Sequence, residues 1–400
     1  PMTIDLSRRG WARPVALFAF FAGLSLTACS SSKNSVPAMY ALDAGASLDG
    51  PDTTDASDAS PGTGVLMDAD VSLDGAACST RTVPSSFQWS SSGVLISPIP
   101  DASHAIAAVK DPSVVYYNNA WHVFMSTVSA TGGYNMAYAT FTDWSQASAA
   151  PLYYLDQNPR LAGYHAAPEV FYFAPQNKWY LVFQSGPPQY STNTDIANPA
   201  GWTQPANFFA AEPEVVTQNK GTNGWLDFWT ICDDASCYLF FSDDNGTWYR
   251  SQTTVANFPS GFDNTVVVMK DANADHLFEA SNVYRMKDTG KYLAIIEAFD
   301  STSSYKRYFR SWTADALDGT WTPLQDTFSA PFASTDDITF VGPRWTSDIS
   351  HGEMIRDGFD QSLTVDTCRL QYLYQGFDPT ASPTNYNSIP WRLGLLTKTN

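Results

Sequence analysis

Basic residues are scarce in this 400-residue chain: 22 Lys and Arg stand against 40 Asp and Glu, a formal net charge of −18. A surface of that sign repels a phosphate backbone, which excludes nucleic acid as a partner and leaves neutral polymers unopposed. Histidine and cysteine number five each, and no spacing among them makes a zinc pattern. Gly-x-Ser-x-Gly is missing, so a serine-esterase elbow is excluded. The segment Asp271-Ala272-Asn273-Ala274-Asp275 opens like a calcium loop, but His276 stands where that loop turns on Gly, and it reads as a surface turn. Helical periodicity is sparse. The apolar run at 15–26 is too short to span a bilayer comfortably as a helix.

That run has other credentials. Arg8, Arg9 and Arg13 precede it, and it ends in Leu26-Thr27-Ala28-Cys29. Small residues before a Cys resemble the bacterial lipoprotein processing box, which implies a signal peptide at 1–28, cleavage before Cys29 and lipid on its thiol. Ser30 follows where an Asp would signal retention at the inner membrane. The expectation is an exported protein, lipid-anchored at the bacterial outer membrane or cell surface, or secreted, that meets a membrane only through its anchor. Residues 30–77 hold eight Asp and a single Lys among Ser, Ala, Gly and Thr. The stretch 29–77 therefore reads as a disordered, solvated tether.

In an exported chain the four remaining thiols point to disulfides. Cys232 and Cys237 flank Asp233-Asp234-Ala235-Ser236, a hairpin-tip sequence, so their pairing is geometrically plausible. Cys78 and Cys368 would then join the two ends of a globular region spanning 78–400; four cysteines allow three connectivities.

What the chain has in abundance is aromatic: 14% of residues, with 13 Trp and 20 Tyr. Such flat amphipathic side chains suit sheet packing and sugar faces alike. From Phe87 onward, short apolar or alternating runs are separated by Asn, Gly, Asp and Pro clusters. Pairs of strands recur at 114–117 with 121–125, 170–173 with 179–183, 228–231 with 238–241 and 283–285 with 292–296. A weaker fifth lies near 341–347 with 370–374. Repeats of this size built of several short strands predict an all-β, five-bladed propeller.

Carboxylates return at the heads of these runs: Asp111 before Pro112-Ser113-Val114-Val115, Asp227 in Trp225-Leu226-Asp227-Phe228-Trp229, and Glu279 in Leu277-Phe278-Glu279-Ala280-Ser281. An ionised acid beside aromatic and β-branched residues is costly without partners or a task. In a propeller the strand heads converge on one mouth of the axis, so three blades deliver three acids to one place. Glycoside hydrolysis needs a protonated and an ionised carboxyl flanking the scissile bond, and a third acid nearby keeps the first protonated. Blade two offers Pro168-Glu169 and blade five Gly342-Pro343 at the matching place, neither with an assigned role.

Lys110-Asp111-Pro112-Ser113, the Asp227 and Glu279 segments, and Tyr386-Asn387-Ser388-Ile389-Pro390-Trp391-Arg392-Leu393-Gly394 together resemble glycoside hydrolase family 62, the α-L-arabinofuranosidases of arabinoxylan. The resemblance runs from about Ser79 to Asn400. It implies a five-bladed propeller, an inverting single displacement, and release of non-reducing-end arabinofuranosyl branches, with no cofactor for catalysis. By position it implies Asp111 as general base, Glu279 as general acid and Asp227 as the acid that orients Glu279. Lys110 and Tyr386 match pocket residues around arabinose, and Asn387 a contact to the neighbouring xylose. His351 matches a histidine beside a structural calcium near the axis. Inversion requires the Asp111 and Glu279 carboxyls to stand roughly 6.5–9.5 Å apart. Gln184-Ser185-Gly186 departs from the Gln-Trp-Gly of many members, removing one stacking surface. Exposed Trp and Tyr are expected to supply others, and the protein is expected to be a monomer. The alternatives are a β-xylosidase or endo-arabinanase with the same trio, or a surface propeller that binds carbohydrate without cleaving it.

Overall fold

In the computed structural model, residues 81–222, 224–300 and 306–400 are described. The leader, Cys29, the acidic stretch and Cys78 lie outside them. No helix among the described residues is long and apolar enough to cross a membrane.

Five sheets form a five-bladed β-propeller. Blade one comprises Ile106–Tyr117, Ala120–Ser129, Tyr134–Phe141 and Tyr153–Tyr154. Blade two comprises Ala166–Phe173, Lys178–Gln184, Pro188–Asn193 and Ala206–Asn207, and blade three Leu226–Cys232, Ser236–Ser242, Thr247–Thr254 and Asp263–Lys270. Blade four runs from Glu279–Met286 through Tyr292–Asp300 and Lys306–Ala314 to its outer strands. Within each of these blades the main strands are antiparallel, joined by tight turns such as Asn118-Asn119, both left-handed as a two-residue hairpin requires. The first strands touch one another and surround the axis.

Blade five differs from the sequence expectation. Its inner strand is Ser350–Met354, not a segment at 341–347, and it pairs with Gln371–Gly376. The exposed stretch Val341–Arg344 with its Gly342-Pro343 belongs to a connection instead. The blade is completed by Trp89–Ser91, which pairs antiparallel with Arg392–Lys398 (Trp89 opposite Lys398). Main-chain hydrogen bonds between the first and last strands thus close the ring. Cys232 and Cys237 form a disulfide across the first hairpin of blade three. Cys368 is disulfide-bonded.

Aromatic residues fill the space between blades. Nine Trp are buried, among them Trp89 against Phe332 and Trp248 against Trp321. No Trp is exposed among the described residues, which corrects the expectation of Trp platforms.

Two tiers of side chain to main chain hydrogen bonds stitch the inner strands together. In the deeper tier Ser113 Oγ accepts from Val170 N (2.9 Å), Glu169 Oε2 from Thr230 N (2.7 Å), Tyr284 OH from Met354 N (2.9 Å) and Glu353 Oε2 from Val114 N (2.9 Å). Between blades three and four, Trp229 Nε1 donates to Val283 O (2.9 Å). Each bond links a blade to its successor. At about 1 kcal/mol net apiece, and more where a buried amide would otherwise go unpaired, they fix the rotation of blade against blade. Glu169, which had no assigned role, is a member of this tier.

Candidate active site

The upper tier builds the site. Near its head each inner strand carries a bulge, placed after Lys110, Ala166, Leu226, Glu279 and Ser350. Four bulges hold a non-glycine residue in the left-handed region: Asp111 (φ 47°), Ala167 (51°), Asp227 (56°) and Ala280 (54°). Such conformations cost on the order of 1–3 kcal/mol each and persist only when neighbours hold them. What holds them is a repeated contact from the second strand of the preceding blade. Ser126 Oγ accepts from Ala167 N (2.7 Å), Gln184 Oε1 from Asp227 N (3.1 Å), Glu297 Oε2 from His351 N (2.8 Å) and Gln375 Oε1 from Asp111 N (2.7 Å).

The pattern breaks once, at the junction of blades three and four. Ser242 occupies the capping position there, opposite Leu226, yet its buried hydroxyl has no partner among the described residues. Asp227 Oδ2 accepts from Ala280 N instead, at 2.9 Å. The carboxylate of blade three is therefore tied to the peptide that follows Glu279.

Bulges re-aim side chains, and this alignment corrects the notion of one acid at one repeated place. Asp111 and Asp227 are equivalent. Glu279 stands one residue earlier, aligned with Lys110; blade two has Ala167 at the bulge, and blade five has His351.

Asp111 and Asp227 meet at the imidazole of His351, whose Nδ1 lies 3.3 Å from Asp111 Oδ1 and 3.7 Å from Asp227 Oδ2. Burial lowers the pKa of His351, against the pull of Asp111, so its ring is neutral near pH 7. Burial, then the charges of Glu279 and Asp111, push the Asp227 carboxyl well above the usual carboxylate range. Lys110 Nζ lies 3.2 Å from Asp111 Oδ1 and donates to Tyr386 OH at 2.7 Å. Burial opposes its charge, but Asp111 and Tyr386 hold its pKa well above that of a free lysine. Asn387 follows Tyr386 in the turn Tyr386–Ser388, and its Oδ1 accepts from Tyr134 OH at 2.9 Å.

Two residues that sequence reasoning missed flank Glu279. Arg307 Nη1 lies 2.9 Å from Glu279 Oε1 and also binds Glu297 Oε1. The guanidinium is boxed by the rings of Phe278, Phe299, Tyr386 and Trp391, all within 5.6 Å of its carbon. Glu297 sits directly opposite Glu279 in the sheet, an unfavourable like-charge pair that Arg307 neutralises. Burial raises the Glu297 carboxyl while Arg307 opposes it. Neither residue lies on an inner strand, so the signal that found the trio could not find them.

Sequence reasoning set a calcium beside His351. Beside its imidazole stand the carboxyl groups of Asp111 and Asp227, and no group of three or more His, Cys, Asp or Glu able to hold a metal occurs among the described residues. Calcium takes 6–8 oxygen ligands. The side chains do not form a calcium cage, and an ion at His351 fits only with a shell made mostly of water.

The mouth of the propeller gathers carboxyl groups from three blades beside a lysine and a tyrosine able to grip hydroxyls, an arrangement suited to the chemistry of glycoside hydrolysis. Comparison with known proteins narrows the class. The profile described as Glycosyl hydrolase family 62 matches residues 88–397, and the chain belongs to that family. α-L-Arabinofuranosidase C of Cellvibrio japonicus is 44% identical over 312 residues, 77% of this chain and 46% of that protein, so the chain spans about half the length of this relative. The catalytic domain of a family 62 α-L-arabinofuranosidase from Coprinopsis cinerea superposes with a TM-score of 0.77 at 54% identity, covering 80% of this chain and 99% of the other. An α-L-arabinofuranosidase of Podospora anserina in complex with cellotriose gives 0.76 at 48% identity, covering 80% and 98%. A family 62 hydrolase in complex with xylotriose gives 0.75 at 48% identity, covering 78% and 98%.

Proposed function

We propose that the chain is an inverting α-L-arabinofuranosidase that removes arabinofuranosyl branches from arabinoxylan. The observation that carries this reading is the meeting of Asp111, Asp227 and Glu279, from three blades, around His351 and Arg307. Arabinofuranosidase names among relatives at 44–54% identity support it, as does the xylotriose bound to one of them.

Asp111 takes a proton from a water molecule as the water oxygen attacks the anomeric carbon. The carbon–oxygen bond to xylose breaks, and Glu279 gives its proton to the departing oxygen. Glu279 must therefore hold a proton although Arg307 lies 2.9 Å away. Glu297 resolves the conflict: when Glu279 is neutral, the buried guanidinium keeps a second carboxylate and is never left unpaired. Asp227, through Ala280 N, fixes the backbone beside the acid. Lys110, Tyr386 and Asn387 serve as hydroxyl-binding groups for the sugars on either side of the bond.

In this reading the protein is exported, with Cys29 as its lipid attachment point and residues 29–77 as tether. Calcium remains as a water-shelled structural ion beside His351. Dialysis against a chelator is then expected to lower the thermal midpoint while kcat stays within about twofold. The test of the function is incubation with wheat arabinoxylan: free arabinose is expected, and its absence would sink the reading.

A further inference from the structure

Asp111 is held in a conformation that its own sequence opposes. Its φ of 47° is left-handed, and Pro112 follows it. The residue before a proline is pushed toward extended backbone. Left free, this segment would settle there and carry the carboxyl away from His351. Against that drift, Gln375 Oε1 accepts from Asp111 N at 2.7 Å. Gln375 lies on the second strand of blade five and is 1% exposed, out of reach of solvent.

An amide side chain can turn over and present its NH2 where its oxygen stood, and Asp111 N would then face a donor. The surroundings of Gln375 forbid the turn. Its Nε2 donates to Ser350 Oγ at 2.9 Å. Ser350 has one hydroxyl proton and gives it to the Glu297 carboxylate, with Oε1 at 3.1 Å and Oε2 at 3.0 Å. Glu297 is surrounded by donors, for Arg307 Nη1 and His351 N bind it as well. Ser350 is left with lone pairs to offer, so the NH2 of Gln375 turns to them and its oxygen points at Asp111 N. The equivalent cap on Asp227 lacks this buried anchor: Gln184 Oε1 accepts from Asp227 N at 3.1 Å, and its Nε2 donates to the half-exposed Tyr164.

The bonds run without a gap from acid to base. Glu279 binds Arg307, Arg307 binds Glu297, and Glu297 takes the proton of Ser350. Ser350 accepts from Gln375, which accepts from Asp111. We propose that Gln375 is a positioning residue for the base, aimed by Ser350, so that the single carboxylate of Glu297 sets the geometry at both ends of the displacement. The attacking water must be activated at a fixed distance and angle from the anomeric carbon, and a misplacement of about 1 Å can cost on the order of a hundredfold in rate. The inference rests on the reading of Asp111 as the base.

The experiment is a mutant cycle in kcat and KM on wheat arabinoxylan, with circular dichroism and the thermal midpoint read on every variant. Gln375→Met keeps the length of the side chain and removes the acceptor; kcat is expected to fall about thirtyfold with KM within about twofold. Ser350→Ala frees the Gln375 amide to turn and is expected to cost about fivefold in kcat, which also keeps the test open where Gln375→Met folds poorly. The double variant should lose no more than Gln375→Met alone, because Ser350 acts through Gln375. In an Asp111→Ala background, Gln375→Met should cost nothing further in kcat. Unchanged kcat in either folded single variant, full additivity in the double variant, or an undiminished loss in the Asp111→Ala background would overturn the inference. Turnover retained by Asp111→Ala itself would overturn the base assignment, and the positioning role with it.

Discussion

Blades two and three each bury a carboxylate on the inner strand, and each carboxylate accepts an amide from the next blade: Glu169 from Thr230, Asp227 from Ala280. Burial is the leading cause that pushes both well above the ordinary carboxylate range. Their surroundings separate them. Glu169 lies in the deeper tier, with Glu353 and Arg356 as its charged neighbours. Asp227 lies at the mouth, where Glu279 and Asp111 act on it and His351 Nδ1 is 3.7 Å away. A buried acid with a shifted pKa thus marks a junction between blades as readily as a catalytic centre. What distinguishes the centre is convergence with other acids at an open end of the axis.

The comparison breaks most easily at the mouth. Asp111→Ala and Glu279→Ala are each expected to lower kcat on arabinoxylan by about 10³-fold or more while the far-ultraviolet circular dichroism stays native. Retained turnover in either would show the roles to be wrongly assigned. Asp227→Asn keeps an oxygen for Ala280 N but loses the titratable group, so kcat is expected to fall about a hundredfold. The same variant should melt higher at pH 7. A carboxyl whose folded pKa is raised binds its proton more tightly in the folded state, so stability falls as pH rises past the unfolded value. Asn removes that penalty, and the gain should vanish near pH 4.

Glu169→Gln sharpens the contrast with the smallest effect. It too keeps an oxygen for Thr230 N, and by the same sign it should raise the thermal midpoint at pH 7 by a few degrees, on the order of 1–2 kcal/mol. Activity should not change. A drop in kcat as large as that of Asp227→Asn would erase the distinction between tier and centre.

Much of this was legible in the sequence. Period-two runs punctuated by Asn, Gly and Pro gave four of the five inner strands, because each contains a β-branched or aromatic run. The fifth was misplaced because Ser350-His351-Gly352-Glu353-Met354 has no such run: its buried Ser350 and Glu353 are satisfied by partners far along the chain. The acids were visible as charges in apolar surroundings. Arg307, Glu297, Gln184 and Gln375 were not, since their meaning lies in contacts between blades that no local pattern encodes. Nor was the one-residue offset of Glu279, because a bulge changes register without changing composition.

Stereochemistry tests the central claim most directly. Proton NMR during the first minutes of arabinoxylan hydrolysis should show β-L-arabinofuranose forming before its mutarotation products, as a single displacement by an Asp111-activated water requires. Initial release of the α-anomer would contradict that account, since it would mean a covalent intermediate and a nucleophile where a base has been placed.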